Sequence, residues 1–208
     1  MTDGSVVAGA LLVLPVALVA TESLGYRHSP YGHSWFWALP LDDKLDHIGR
    51  HTRAWWRINL PWFPTLAVTT AGLAGLAFLL ADPWAWAALG GYLLAAGAWA
   101  IAVAQQTAGM AVAAEQRAES GETPAWAHAT WQVGYVLEGV WVLLANLAAA
   151  AYGVAVLRTD LLPSWLGWAA IAVGLAIPAG VLLTRNGFPH LALPVPLALG
   201  VALLIVGI

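Results

Sequence analysis

The sequence contains no cysteine, and charged residues make up only 9% of its 208 positions. The first absence removes disulfides, thiolate metal sites and dithiol redox chemistry together. The second constrains the fold, because an ordinary soluble domain carries about 25% charged residues. Eight basic and eleven acidic side chains cannot cover a structure in which 61% of residues are apolar, so lipid is expected to be the main solvent. A formal charge of -3 leaves no electrostatic footprint for nucleic acid. Basic residues are also missing ahead of the first apolar run, Val6 to Ala20, and no Ala-x-Ala type cleavage site accompanies it. That run is therefore expected to stay as a membrane span.

Catalytic signatures of several membrane enzyme classes are missing too. The chain has no DGxxAR run of the CDP-alcohol phosphotransferases, no PSGH-type segment of lipid phosphatases, no GxSG nucleophile of rhomboid proteases and no HExxH site. Six histidines are too few for a histidine-box oxidoreductase. Without a Walker loop, ATP-driven work is not expected.

What the sequence does have is long apolar runs. A helix needs about 20 apolar residues to cross the hydrocarbon layer. Such runs fall at about 5–22, 59–81, 84–113, 126–157, 164–184 and 190–208. The expected fold is all-α: one membrane domain, residues 1–208, with six transmembrane helices. Asp82-Pro83 is too short for anything but a hairpin between the second and third spans, and Pro163-Ser164 opens the fifth. Arg27, Lys44, Arg50, Arg53, Arg57, Arg117 and Arg185 lie in loops on one side, and Arg158 alone lies on the other. The positive-inside rule then places the first long loop in the cytoplasm and both termini outside, in a multi-pass plasma-membrane protein.

The first loop carries its own helix signal over about 41–57. Asp42, Asp43 and Asp46 fill its first turns and Arg50, Arg53 and Arg57 its last, which suits the helix macrodipole. Leu41, Leu45, Ile48 and Trp55 share a face, so an amphipathic helix on the membrane surface is expected, with Trp35, Phe36, Trp37, Trp55, Trp56 and Trp62 as headgroup anchors.

Glu138 carries the main functional expectation. It lies near the middle of the fourth run, and centring a carboxylate in lipid costs about 2.5 to 3.5 kcal/mol, so it should face the bundle interior or a wet cavity. His128, Gln132, Tyr135, Glu138, Gly139 and Asn146 fall within an arc of roughly 120° and form a polar stripe. Gln105 and Gln106 on the preceding span are expected to meet that stripe. A carboxyl group kept from water is held in the neutral form that a general acid needs. The alternative is that the stripe joins helices through hydrogen bonds.

Two weaker patterns accompany it. Asp42-Asp43-Lys44-Leu45-Asp46 has the spacing of an aspartate-rich magnesium-diphosphate motif, with Arg50 and Arg53 as phosphate partners. The same aspartates equally suit an acidic helix start, so Asp42 and Asp46 are weak metal candidates, and Mg2+ is expected only if the substrate is a diphosphate. His47 and His51 are spaced for a metal pair but lack a third ligand, and His28 and His33 suggest no role. Glu22 faces either a cavity mouth or the headgroups. Thirteen tryptophans include Trp99, Trp131 and Trp141 beside the polar stripe, where aromatic faces would stabilise a cation.

The segment Leu161-Leu162-Pro163-Ser164-Trp165-Leu166-Gly167-Trp168 resembles a stretch of uncharacterised bacterial multi-pass membrane proteins. It covers about one helix and supports the membrane assignment. By general plan alone the chain is similar to the membrane-bound terpene cyclases. The expected function is an intramembrane enzyme that isomerises or cyclises an isoprenoid or polyketide-like substrate by acid catalysis. Glu138, Gln132 and Tyr135 would form its catalytic group, and Gln105, Gln106, Asn146, Trp99, Trp131, Trp141, His128 and Glu22 would contact substrate. No resident cofactor is expected, and the partners are the bilayer and a lipophilic small molecule. The alternative is a small transporter or lipid-binding accessory protein that uses the same stripe.

Overall fold

The computed structural model describes residues 3–27, 29–31, 34–184 and 189–207, and the side chains of 20–27, 34–35 and 207 lie outside that description. Apart from short turns, the described residues are helical, without a strand. The helices are α1 (Asp3–Arg27), α2 (Ser34–Ala38), α3 (Leu41–Arg50), α4 (Thr52–Asn59), α5 (Trp62–Leu80) and α6 (Pro83–Ala104). After a π-helical turn, Gln105–Gly109, come α7 (Met110–Ser120), α8 (Ala125–Leu157) and α9 (Ser164–Thr184). A 3-10 turn, Pro189–Ala192, precedes α10 (Pro194–Gly207).

Five stretches are long and apolar enough to cross a membrane: Thr52–Leu80, Pro83–Ser120, Ala125–Leu157, Ser164–Thr184 and Pro189–Val206. The first apolar helix meets that test only as a shorter stretch, Asp3–Val19. Outward faces carry Phe78, Leu94, Leu183 and Ile205, each at least 70% exposed, a surface that suits lipid rather than water.

Local chemistry explains where the helices stop. Ala81 takes a left-handed conformation, φ 50°, and closes α5. Asp82 then caps α6 by accepting a hydrogen bond from the Trp84 amide at 2.8 Å, and Pro83 occupies the position where no amide is needed. Arg158 donates to the other Asp82 oxygen at 3.0 Å, tying this turn to the end of α8. Burial would raise the Asp82 carboxyl, but Arg158 and the Trp84 amide outweigh it and hold the group below its ordinary range.

α8 is the central element, with α6 against one face and α9 against another, while α1 packs between α5 and α10. Small residues set these distances. A Cβ at Gly153 would stand 2.6 Å from the Gly167 carbonyl, and one at Gly174 would stand 2.6 Å from the Asn146 carbonyl. These contacts fix the register of α9 on α8. That of α6 is fixed by Gly91 against Ala148, Trp99 against Trp141 and Gln106 against Gly134.

The first loop differs from expectation in two ways. Its helix is broken at His51, φ -132° and ψ 33°, giving α3 and α4; the Thr52 hydroxyl donates to the Ile48 and Gly49 carbonyls left at the break. Its apolar face meets protein rather than lipid. Leu45, Ile48 and Trp55 are fully buried with Tyr31, Phe36 and Met110 in a second core, separate from that of the bundle. Of the expected headgroup anchors, Phe36 and Trp55 are buried in this second core and Trp62 in the bundle core, while Trp37 and Trp56 are exposed; the Trp35 side chain is outside the described residues. The physical reason is that α7 and the start of α8 project beyond the bundle and offer an apolar wall, Met110, Ala113, Ala114 and Ala127.

Candidate functional site

The site is built where α8 meets α6 near the π turn. Gly134, Glu138 and Trp141 follow one face of α8 at helical spacing. By the register of α6 on α8, Glu138 falls level with Ala102, and it is half-buried. The α9 register sets it level with the last turn of that helix. Glu138 is about 28 Å from Leu157 along the axis of α8, so it lies toward one end of the shared helical layer and not at its middle. The difference from the mid-span expectation arises because α8 has 33 residues and α9 only 21, and the surplus of α8 projects past α9. Among the described residues Glu138 forms no hydrogen bond and no ion pair.

Above Glu138 stands an aromatic wall. Trp99 and Trp141 stack with centroids 6.3 Å apart, and Tyr92 meets Trp141 edge-on at 5.5 Å. Trp62 meets Trp99 at 5.2 Å and His190 at 5.0 Å. The Trp141 indole donates to the Pro189 carbonyl at 3.2 Å, which ties the 3-10 turn to α8. Trp99 Nε1 and Gln105 Oε1 are buried with no hydrogen-bond partner among the described residues. Such atoms call for an unseen water or ligand group.

The π turn shapes the α6 side. A π turn inside an α-helix leaves backbone groups outside the regular ladder. Here the Trp55 indole of α4 donates to the Gln106 and Thr107 carbonyls, at 3.0 and 3.2 Å. The Gln106 side chain lies along Gly134, its Cγ 3.4 Å from where a Cβ would be. Gln106 thus reaches the α8 face that carries Glu138.

The expected polar stripe divides. His128, Gln132 and Tyr135 are exposed, beyond the end of α9, and form a polar track leading to Glu138. Asn146 is 1% exposed and donates to the Val142 carbonyl of its own helix at 2.8 Å, beside Gly174. It serves the α8–α9 contact and is not brought to Glu138. Trp131 lies two turns from Glu138 on the same face, stacked on Trp37 at 6.4 Å with the Lys44 ammonium 4.7 Å above its ring. The side chains of Glu22, His28 and His33 lie outside the described residues.

Asp42 and Asp46 do share a face, and that face meets Arg117. Arg117 Nε approaches Asp46 at 2.6 Å and its Nη2 the second oxygen at 3.2 Å, a bidentate pair. Asp42 accepts from Thr123 at 2.7 Å. The pair clamps α3 to the α7–α8 turn, and the Arg117 hydrogen bond holds the Asp46 carboxyl below its ordinary range. Arg50, expected to bind phosphate, donates from Nε to the Asp46 backbone carbonyl. His47 and His51 stand 4.9 Å apart, but His47 Nε2 is engaged with the Pro30 carbonyl at 3.0 Å. Among the described residues no three His, Cys, Asp or Glu side chains converge as a metal site would require.

The described void lined by Leu73, Tyr92, Ala145, Ala149, Tyr152, Val195, Pro196 and Leu199 has no room for a water molecule. Glu138 does not line it. Sequence reasoning missed Trp62, His190 and Lys44 at this site. A polar Gln-Gln-Thr step within an apolar run was the available signal for the π turn, and a histidine opening the last apolar run was the signal for His190. No protein-family model, curated protein or solved structure matches this chain.

Proposed function

We propose that the chain is a multi-pass plasma-membrane protein of six spans, α1 included, and an intramembrane enzyme that isomerises or cyclises a lipophilic substrate by acid catalysis. The observation that carries this reading is Glu138 itself: half-buried, without a hydrogen bond or ion pair among the described residues, and next to a stacked tryptophan wall. A carboxyl group kept only to join helices would be bonded to the neighbouring helix.

In the proposed reaction the Glu138 carboxylic acid gives its proton to a substrate alkene. The alkene π pair forms the new C–H bond, and the positive charge develops on the adjacent carbon. The faces of Trp99 and Trp141 stabilise that charge. The resulting carboxylate then removes a proton from a neighbouring carbon, whose C–H pair becomes the new double bond, so the reaction needs no oxidant or reductant. Gln105 and Gln106 orient the acid or the substrate. With α9 spanning the hydrocarbon layer, about 30 Å thick, Glu138 falls close to one edge of it, near the headgroups. The described void does not include Glu138, so seating a substrate between Glu138 and the tryptophans requires the elements around them to separate.

One observation favours the second reading, a small transporter or lipid-binding accessory protein: the exposed track His128, Gln132, Tyr135 gives Glu138 a polar route along α8. One experiment tests both. Wild-type protein and Glu138→Gln are purified from the producing host, and their bound small molecules are identified by native mass spectrometry after lipid extraction. The enzyme reading expects a specific hydrophobic molecule that accumulates on the variant as unconverted precursor. The same molecule, unchanged in both proteins, would support binding or transport. Bulk phospholipid alone in two equally well-folded proteins would remove both readings.

A further inference from the structure

The stretch Thr52–Leu80, where α4 runs into α5, divides into two faces. Trp55, Ile58, Asn59, Trp62, Thr65 and Leu66 are buried. Arg53, Trp56, Arg57, Leu60, Phe63 and Pro64 are exposed, and at about 100° per residue they fall within an arc of roughly 120°. Leu60 and Pro61 both keep the right-handed helical conformation, so the exposed face continues from one helix into the next. It is apolar along α5 and basic along α4. Among the described residues neither Arg53 nor Arg57 forms a hydrogen bond or an ion pair, while the nearby α3 carboxylates Asp42 and Asp46 are held by Arg117 and Thr123. The 19 residues of α5 span about 28 Å, close to the roughly 30 Å of a hydrocarbon layer. With Trp62 at one edge of that layer, Arg57 lies about 8 Å and Arg53 about 14 Å beyond it. Headgroups fill about 5 to 8 Å on each side, so Arg57 stands at headgroup depth and Arg53 at its outer rim.

We propose that Arg53, Trp56 and Arg57 form a docking site for an anionic phospholipid, with its phosphodiester on the two guanidinium groups and an acyl chain along Leu60 and Phe63. This rests on the membrane-span part of the reading above and is independent of the acid catalysis. Guanidinium groups present paired N–H donors that match phosphate oxygens. Trp56 stands beside them on the same face, and an indole suits the boundary between headgroup and chain. Preference for net negative charge follows from the unpaired state of both arginines. A choline head would bring its own cation to a face that offers no carboxylate.

The test is native mass spectrometry of the full-length protein in neutral detergent, titrated with an equimolar mixture of dioleoyl phosphatidylglycerol and dioleoyl phosphatidylcholine. The variants are Arg53→Gln/Arg57→Gln and Arg53→Ala/Arg57→Ala, two forms in case one fails to fold, with helicity checked for each. Arg50→Gln is the control, an exposed arginine of the same arm that donates to the Asp46 carbonyl. Wild type is expected to prefer phosphatidylglycerol at least about tenfold. Both double variants should lose that preference, and Arg50→Gln should keep it. An undiminished preference in the double variants overturns the site, and an equal loss in Arg50→Gln reduces it to diffuse charge. Displacement of the lipid by equimolar inorganic phosphate would make the ligand a free anion and overturn the lipid. Reconstitution into pure phosphatidylcholine vesicles, read by flotation, separates this inference from the reading beneath it. Wild type that fails to enter those vesicles removes the membrane spans; wild type that enters them but shows no preference removes the lipid site alone.

Discussion

Single residues carry both strain and opportunity in this chain. Ala81 holds φ 50° to close α5, a conformation that costs a side-chain-bearing residue about 1 to 2 kcal/mol. Glycine relieves it and returns part of the gain as unfolded-state entropy, so Ala81→Gly should stabilise by about 0.5 to 1 kcal/mol, read as a rise in Tm. A lower Tm would mean that the Ala81 methyl contributes packing that outweighs the strain. Lys44 gives the second case. Burial pushes its ammonium below the ordinary lysine range, so at neutral pH the folded state carries an uncompensated charge that the unfolded chain hydrates. Lys44→Met should therefore raise the Tm even after the lost contact with Trp131 is counted. An unchanged or lower Tm would show that the cation and ring fully offset burial. Legibility at this scale was uneven. Glu138 stood out because any carboxylate in an apolar run does, but its level did not, because the run was longer than the neighbouring α9. Lys44 looked like one more charge in a charged loop; only the docking of α3 against α7, which sets Lys44 over Trp131 of α8, buries it.

Among the elements, the α3–α4 arm was half legible. Its amphipathic period was read correctly from Leu45, Ile48 and Trp55, but a period shows only that a face seeks apolar company. Whether lipid or α7 supplies that company depends on how far the long helices project, which sequence spacing does not encode. The clamp aspartates show the same limit, since Asp42 and Asp46 suit a metal or an arginine equally well until Arg117 is placed. The arm's pH response follows from two groups. Burial is the chief force lowering the His47 pKa, with the charges of His51 and Arg50 adding to it and the Pro30 carbonyl opposing. A histidine depressed in the docked state stabilises docking above its undocked value of about 6.5 and loses that contribution as pH falls through the docked value. Asp46 is also depressed, chiefly through its hydrogen bond from Arg117, so its contribution is present above about pH 4 and lost on further acidification. The arm should therefore loosen in two acid steps while the bundle core stays protected. Hydrogen exchange at the α3 amides, compared between pH 7.5 and 5.5, should show faster exchange at the lower pH after correction for intrinsic rates. His47→Asn should flatten that first step; equal protection at both pH values would detach His47 from docking.

At the scale of the whole molecule, the two ends of the bundle differ in chemistry. One end carries the arm with Arg50, Arg53 and Arg57 exposed, together with Arg117 and the projecting turns of α7 and α8. The other end carries Arg158, and that residue ties the α5–α6 turn to α8 through Asp82, so a local structural task accounts for a basic side chain there. We propose from this basic bias that the arm faces the cytoplasm, with Asp160 and the opposite turns outside. Because the native chain has no cysteine, single-cysteine variants report sidedness without background. Ser120→Cys in the α7–α8 turn and Asp160→Cys in the α8–α9 turn both lie at exposed positions. In intact cells a membrane-impermeant maleimide should label Asp160→Cys, and it should reach Ser120→Cys only after the membrane is opened. The reverse pattern would place Arg50, Arg53 and Arg57 outside. It would also turn the α3–α4 arm, with Lys44 seated on Trp131, to the outer side, so the same labelling decides on which side of the membrane the arm lies.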